Sequence, residues 1–344
     1  RKKARLGRQI PLHRPCLQRF LPRDFSPSLD LRPCSSPLEI SSKGSRLCSP
    51  GGTPAPKSRR LPPRLAWCAI DWEQVRLLEP LGAGGFGSVY RATYRGETVA
   101  LKKVKRSDRN RLACRQSFWG ELNVAHLRHG HLVRLLAAAA SAPEDRESLG
   151  TVIMEYAGGS SLHRALYGER APSPPRCLRY ARQVASGLRF LHAAGIVHLD
   201  LKPANLLLAE GDVCKIGDFG CSRRLQDLRS PAAAHPCQLG GTYTHRAPEL
   251  LRGERVTAKA DVYSFAITLW QMLSRELPYS GERQCVLYAV VAYELRPAFT
   301  PAFRRAAGGS PLPELIRDCW QADPERRPSA AALLQRLSSP ELRL

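Results

Sequence analysis

Two polar motifs near the middle of the chain constrain this sequence more than any other feature. Residues 198–205 read His-Leu-Asp-Leu-Lys-Pro-Ala-Asn, and residues 218–220 read Asp-Phe-Gly after a strand-like segment at 213–216. Because only five positions separate Asp200 from Asn205, one tight loop can present both side chains. The second motif begins 13 residues after Asn205. The fold must therefore bring two carboxylates and an amide to one place.

This set of side chains is typical of phosphoryl transfer from ATP. Asp200 would accept the proton of an attacking hydroxyl, and Lys202 would neutralise the γ-phosphate. Asn205 and Asp218 would bind Mg²⁺. A turn with unrelated polar residues is the alternative, but the order and spacing of the two motifs disfavour it.

A glycine-rich segment at residues 82–89 reads Gly-Ala-Gly-Gly-Phe-Gly-Ser-Val. Glycines let backbone N–H groups approach phosphate oxygens without a side-chain clash. Alone, this pattern would also fit a dinucleotide fold or a tight hairpin turn. No helix starts at its third glycine, which disfavours the dinucleotide fold. We expect the ATP-binding residues of this segment to be Leu81, Gly82, Ala83, Gly84, Gly85, Phe86, Gly87, Ser88 and Val89.

The next strand offers two adjacent lysines, of which only one can face the cleft. Successive side chains of a strand point to opposite faces, so Lys102 shares its face with Ala100 and not with Lys103. The small Ala100 would leave room for adenine. We therefore predict that Lys102 binds the α- and β-phosphates, with Glu121 on the following helix as its partner.

The junction between the two halves of the chain is expected to hold the adenine ring. Met154 would lie at the back of the pocket, and adenine would bond to the backbones of Glu155 and Ala157. An ordinary strand between two lobes is the alternative interpretation of these residues.

Two further acidic residues have predicted structural roles. Glu249, in an Ala-Pro-Glu motif, needs a buried cation, and Arg327 is the candidate. Asp261, at the start of an apolar helix, would hold the backbone of the catalytic loop.

The secondary-structure pattern divides the chain. Residues 75–103 predict three strands, residues 113–129 a helix, and residues 132–139 and 151–156 two more strands. Helices then dominate, including one over 261–273 that is apolar nearly all round. The prediction is an α+β fold of two lobes, a mainly antiparallel β lobe at 67–157 and a mainly helical lobe at 158–344. A basic Pro/Ser-rich tail at 1–66 precedes them. It is too polar to form a core and is therefore predicted to be disordered.

With these motifs in order, residues 75–338 resemble the eukaryotic protein kinase domain over its whole length. The resemblance implies a small N-lobe with a single helix, helix C, and a larger C-lobe. It also implies an enzyme that uses ATP and Mg²⁺. Lys202 after the base and Thr242 after Gly241 match the serine/threonine pattern.

Three segments, residues 65–68, 239–249 and 279–284, resemble the Mos family of serine/threonine kinases. That resemblance implies a MAP kinase kinase kinase whose protein substrate is a MAP kinase kinase, acting in oocyte meiotic maturation. Spacing and composition do not by themselves point to this pathway.

Two positions depart from the kinase pattern. Leu199 stands where an arginine usually precedes the catalytic base. The pocket for a phosphate on the activation loop, the segment from Asp218 to Glu249, is therefore incomplete. Ala204 stands where kinases that prefer basic substrates often have Glu. We expect activity without phosphorylation of the activation loop and no requirement for arginine near the target hydroxyl.

The composition disfavours a nucleic-acid-binding protein and a membrane protein. The net charge is +23, but the first 66 residues hold 15 of the 53 basic and only 3 of the 30 acidic residues. No nucleic-acid motif accompanies this charge, so we expect no nucleic-acid partner. The longest apolar run, 286–293, is too short for a membrane span and is expected to be buried core.

Cysteine usage indicates the redox compartment, and the motif residues indicate whether the fold is catalytically competent. The 11 cysteines include no Cys-x-x-Cys pair and predict free thiols in a reducing, cytoplasmic setting. We expect a monomer. A catalytically dead kinase fold is the remaining alternative, but Lys102, Asp200, Asn205 and Asp218 are all retained.

Overall fold

Alternating apolar residues over 75–155 form one antiparallel sheet of five strands in the computed structural model, in the order β1-β2-β3-β5-β4. One face of β3 packs Val99 and Leu101 against a buried cluster. Its other face carries Ala100 and Lys102, as the period of two requires. The strands are β1 Val75–Gly84, β2 Gly87–Tyr94, β3 Glu97–Lys105, β4 Leu135–Ala139 and β5 Ser148–Glu155.

The structure describes residues 61–84, 87–105, 111–140, 148–229 and 242–342. The tail prediction lies outside the described residues up to residue 60, as do Gly85 and Phe86 of the glycine-rich turn. Described structure begins at Leu61, earlier than the predicted boundary at 66. Pro62 and Pro63 restrict the backbone there, and a 3₁₀ turn follows over Pro63–Cys68.

The helix of the small lobe is shorter than the sequence predicts. Helix α1 spans Arg111–Leu122, whereas the prediction ran to residue 129. After Leu122 the backbone hydrogen bonds join residues three positions apart, as in tight turns. The Asn123 side-chain amide donates to the Ser222 carbonyl at 3.2 Å. This long-range contact draws the chain out of the helix. Phe118, Leu122 and Ala125 are nevertheless all buried, as the apolar spacing predicts.

The larger lobe is a set of helices around α5, which is buried along nearly its whole length. The α3 residues at the predicted spacing, from Leu178 to Leu188, pack in the same core. The helices are α2 Leu162–Leu166, α3 Pro174–Ala193, α4 Pro248–Arg252, α5 Lys259–Ser274, α6 Arg283–Ala292, α7 Pro301–Ala307, α8 Leu312–Cys319 and α9 Ala330–Leu337. The predicted α+β fold of two lobes is confirmed.

A buried ion pair links α4 to the end of this lobe. The Arg327 guanidinium donates to both carboxylate oxygens of Glu249, at 2.7 and 2.8 Å. The two side chains are 0% and 1% exposed, so neither charge has water as an alternative partner. The predicted pairing is confirmed, and loss of either partner would leave a buried charge unpaired.

Short strands position the two polar motifs. Strands β8 Leu206–Ala209 and β9 Val213–Ile216 form a hairpin whose open end carries Asn205 on one side and Gly217 on the other. Their backbones are joined there, since the Gly217 N–H donates to the Asn205 carbonyl at 2.9 Å. The remaining short strands are β6 Ser160–Ser161, β7 Ile196–Val197 and β10 Arg223–Arg224, and β7 pairs with β10. The segments around Asp200 and Asp218 are thereby held side by side.

The apolar run at 286–293 is not fully buried as expected. It lies mostly in α6, where Val286 and Val290 face the core while Tyr288 is 44% exposed. Tyr293, just after the helix, is 65% exposed. Within the described part of the chain, none of the helices is long and apolar enough to cross a membrane.

Candidate active site

Lys102 sits at the centre of the site, on the face of β3 that the alternation assigned to it. Its ammonium donates to Glu121 Oε1 at 2.5 Å and to Asp218 Oδ1 at 2.6 Å. Lys103 points the other way, 6.0 Å from the centroid of the Tyr90 ring. The predicted partner and the predicted strand register are confirmed.

The electrostatics of this cluster favour the charged forms of Lys102 and Asp218, whereas burial raises the pKa of Glu121 although Lys102 opposes the shift. Burial alone would lower the pKa of Lys102, but the carboxylates of Glu121 and Asp218 outweigh it and raise that pKa above its ordinary value. Burial would also raise the pKa of Asp218, but Lys102 holds it well below the usual range. The lysine therefore stays cationic and Asp218 anionic at neutral pH.

Close backbone approach explains how α1 brings Glu121 to this point. A β-carbon on Gly120 would lie 2.5 Å from the Gly220 carbonyl oxygen and 2.8 Å from that of Phe219. Glu121 also accepts the Phe219 N–H at 3.1 Å through its second oxygen. The sequence interpretation missed Gly120, although a glycine directly before the expected carboxylate was a visible signal.

Two residues of the catalytic loop and Thr242 hold the carboxylate of Asp200. Lys202 Nζ donates to Asp200 Oδ2 at 2.8 Å, and the Asn205 side-chain amide donates to the same oxygen at 2.9 Å. The Thr242 N–H donates to Asp200 Oδ1 at 2.7 Å. Lys202 also donates to the Thr242 hydroxyl at 2.5 Å. The carboxylate is thus fixed in one orientation and is 9% exposed.

Two further contacts fix the backbone on either side of this loop. Asp261 on α5 accepts the N–H groups of His198 and Leu199, at 2.9 and 2.8 Å, as predicted. The His198 ring contacts the Gly217 carbonyl at 3.1 Å and packs edge-on against the Phe219 ring. The loop and the Asp218 segment are therefore connected directly.

The oxygen atoms available for a cation fit magnesium. Asn205 uses its NH₂ group towards Asp200, which leaves its amide oxygen as a possible ligand. Asp218 uses Oδ1 towards Lys102, which leaves Oδ2, and its side chain is 46% exposed. Two hard oxygen donors with room for water suit Mg²⁺, which keeps several waters and takes further ligands from phosphates.

The glycine-rich segment forms a hairpin, as expected. Leu81, Gly82, Ala83 and Gly84 end β1, and Gly87, Ser88 and Val89 begin β2. A β-carbon on Gly87 would lie 2.1 Å from the Lys103 carbonyl oxygen, so only glycine allows the β2–β3 pairing there. Around Gly82 and Gly84 there is open space on the side where a β-carbon would point. Phosphate oxygens could approach their backbone without obstruction.

The predicted adenine site lies at the end of β5. Met154 is paired with Ala100 across the sheet, so both line the same region. Glu155 donates its N–H to the Arg134 carbonyl at 2.9 Å, and its side chain accepts from Lys215 at 2.8 Å. This ion pair connects the end of β5, at the junction of the two lobes, to β9 of the larger lobe. Ala157 is buried directly after the strand.

Comparison with known proteins agrees with this geometry. Residues 75–337 match the protein kinase domain. The chain is 65% identical to the Xenopus laevis serine/threonine-protein kinase mos, over 93% of this chain and 90% of that protein. It is 58% identical to the Gallus gallus serine/threonine-protein kinase mos, over 92% and 95%. It is 57% identical to the Sus scrofa proto-oncogene serine/threonine-protein kinase mos, over the same shares.

Proposed function

The chain belongs to the protein kinase family and, within it, to the Mos serine/threonine kinases, and from this premise we propose that it phosphorylates a MAP kinase kinase. Serine/threonine kinase activity follows from the family itself. The choice of substrate is the part that we propose. It rests on the similarity to Mos kinases, together with a catalytic constellation that is complete.

The observation that carries catalytic competence is the pair of networks around Lys102 and Asp200. ATP with Mg²⁺ would supply the phosphoryl group and neutralise its charge. Lys102, held by Glu121, would bind the α- and β-phosphates. Asp200 would orient the substrate hydroxyl and accept its proton, and Lys202 would stabilise charge on the γ-phosphate. Asn205 and Asp218 would hold the metal.

These contacts disfavour a catalytically dead scaffold. Such proteins usually lack the counterpart of Lys102, Asp200, Asn205 or Asp218. Here Lys102 contacts Asp218, and Asn205 contacts Asp200. Side chains that maintain these mutual contacts are arranged as turnover requires.

The residue before Asn205 gives no support for a preference for basic substrates. Ala204, beside Asn205 in the catalytic loop, is exposed and offers no carboxylate to an arginine of the substrate. We propose further that the enzyme is a monomer in the cytoplasm, the setting that its cysteines predict, and that it acts in oocyte meiosis, by similarity to Mos kinases.

The test is a phosphorylation assay with the purified full chain, ATP, Mg²⁺ and a panel of kinase-inactive MAP kinase kinases. We expect phosphate on serine or threonine of at least one of them, and none with Asp200→Asn. Kinase-inactive MAP kinases, one step further along the cascade, serve as the control substrates. If the enzyme phosphorylates a general protein substrate but no MAP kinase kinase, the proposed substrate is wrong while the family activity stands.

A further inference from the structure

A segment that precedes the matched kinase domain is part of the folded unit. The match begins at residue 75, yet residues 63–70, which we call the brace, are built into the small lobe. Leu65, Cys68 and Ile70 are only 7%, 1% and 9% exposed. The residues between them are exposed. The brace therefore has one apolar side that the domain covers.

The brace wraps the open edge of the sheet. Strand β4 is the edge strand, and Ala69 forms a parallel bridge with Ala138 on it. The Ile70 N–H donates to the Ala138 carbonyl at 3.2 Å. Leu65 and Cys68 join the buried cluster on one face of the sheet, whereas Ile70 joins the cluster on the other face. The brace is thus anchored on both sides of β4.

Helix α1 packs into the same buried cluster as Leu65 and Cys68. The cluster contains Cys114, Phe118 and Leu122, which lie four residues apart along one face of that helix. A different side of α1 meets the Asp218 segment through Gly120 and Glu121. A helix of 12 residues has little stability of its own in water, so packing decides where it lies.

One more contact lies just beyond α1. The Arg128 guanidinium sits 5.7 Å from the Trp67 ring centroid, a cation–π distance. The brace therefore contacts the chain after α1 as well as sharing its buried cluster. Displacement of the brace would remove Leu65 and Cys68 from the buried cluster into which α1 packs.

We propose that Leu65 and Cys68 are positioning residues for catalysis, which hold α1 so that Glu121 meets Lys102. In this arrangement the chain supplies from its own upstream segment the packing that keeps the helix in its active position. The proposal rests on the kinase activity of the family and not on the identity of the substrate.

The test compares Leu65→Asp with Ala66→Asp, which introduces the same charge at an exposed neighbour. Both are made in the full chain and assayed for kcat and for KM of ATP. Because a misplaced catalytic group costs on the order of 10- to 100-fold, we expect Leu65→Asp to lose at least about tenfold in kcat/KM. Ala66→Asp and the conservative Leu65→Met should keep near-normal values.

A double-mutant cycle with Glu121→Gln separates positioning from general stability. If the brace acts through Glu121, Leu65→Asp should cause little further loss in the E121Q background. Equal losses in both backgrounds, or an unchanged kcat/KM in the single variant, would overturn the proposal.

A second measurement covers the case in which Leu65→Asp does not fold or E121Q is too slow to assay. Amide hydrogen exchange of the milder Leu65→Ala should accelerate in residues 111–122 and stay unchanged in α5. Uniform acceleration in both regions would show that the brace supports the whole domain instead, and would contradict the proposal.

Discussion

Asp261 holds Leu199 in a left-handed backbone conformation, with φ at 66° and the Leu199 N–H donated to Asp261 Oδ1 at 2.8 Å. Leucine rarely adopts such an angle, and the strain persists only where the surroundings impose it. The other oxygen of Asp261 accepts from His198 N–H and contacts His192 Nε2 at 2.8 Å. Burial would raise the pKa of Asp261, but His192 and His198 keep it below the usual range.

The first prediction concerns the hydrogen bonds that Asp261 accepts from the catalytic loop. Asp261→Asn keeps the shape but places an NH₂ group where an acceptor is needed. We expect the free energy of unfolding to fall by about 3 kcal/mol, since a buried charge network is broken. The control, Asp318→Asn, removes an exposed ion pair with Arg336 and should cost less than about 1 kcal/mol. Denaturant unfolding of both variants checks the difference, and equal losses would contradict the assigned role.

Short-range sequence patterns predicted most of the fold and of the site. Alternation along β3 separated Lys102 from Lys103, because a strand allows only two orientations. Residue type predicted the Glu249–Arg327 pair, although 78 positions separate the two residues, because a buried carboxylate requires a cation. These rules depend on neighbouring residues or on elementary electrostatics, and both are readable without coordinates.

Contacts between distant residues accounted for what the sequence could not predict. The end of α1 depends on Asn123 meeting Ser222, 99 residues away in the chain. The exposure of Tyr288 depends on which face of α6 the core covers. The described structure before Trp67 depends on Leu65, which joins a buried cluster formed by distant residues. None of these partners is recognisable from local sequence.

The second prediction tests the lysine assignment. Lys102→Arg keeps the charge, but a planar guanidinium cannot replace a compact ammonium between two carboxylates at 2.5 and 2.6 Å. We expect kcat to fall on the order of 100-fold or more, as for other preorganised contacts. Lys103→Arg is the matched control and should retain activity, because arginine can also pack over the Tyr90 ring. Loss of activity in Lys103→Arg alone would reverse the assignment.

The third prediction concerns the contact between α1 and the Asp218 segment. Gly120→Ala would place a β-carbon 2.5 Å from the Gly220 carbonyl oxygen, so one of the two backbones must move. Because Glu121 moves with it, we expect kcat/KM for ATP to fall at least about tenfold. Gly130→Ala, where nothing lies within 4 Å of the added atom, should behave as wild type. Similar kinetics for the two variants would contradict this reading of the contact.

The fourth prediction is a pH dependence of stability. Burial lowers the pKa of His245 to about 4, although a hydrogen bond with Gln271 and the charge of Asp200 oppose the shift. In the unfolded chain this histidine binds a proton near pH 6.5, whereas in the folded protein it stays neutral until about pH 4. Its contribution to the free energy of unfolding is therefore fully present above pH 6.5 and is lost as pH falls towards 4. At about 1.4 kcal/mol per pH unit, the loss amounts to about 3 kcal/mol.

Denaturant unfolding at several pH values would measure this dependence. His245→Gln, which cannot titrate, should lose less stability than wild type between pH 6.5 and 4. His126→Gln changes an exposed histidine in the same way and should follow wild type. If all three proteins lose stability in parallel, His245 is not the group responsible.

The last prediction is that the enzyme does not need phosphorylation of its activation loop. In most kinases of this fold, the arginine before the catalytic base pairs with a loop phosphate and thereby orders the loop. Leu199 occupies that position here, and its side chain is 5% exposed within the core of the larger lobe. It can form no hydrogen bond with a phosphate.

Arg223, a cation that could substitute, is engaged elsewhere. Its guanidinium donates to the carbonyls of Cys221 and Ser222 and to the side chain of Gln116. Thr242 is already bound to Asp200 and Lys202, so the end of the loop is seated without a phosphate. Activity would then follow the amount of protein and not the action of an upstream kinase.

Enzyme made in bacteria and treated with phosphatase tests this directly, with mass spectrometry to show that Ser222, Ser230, Tyr243 and Thr244 are unmodified. We expect its kcat to change by less than about twofold on later phosphorylation, since no charge-assisted hydrogen bond is gained. Ser222 should resist modification in any case, because it is fully buried and its hydroxyl donates to the Gly120 carbonyl at 2.8 Å. An enzyme that is inert until one of these residues is phosphorylated would show that another cation, and not packing, completes the loop.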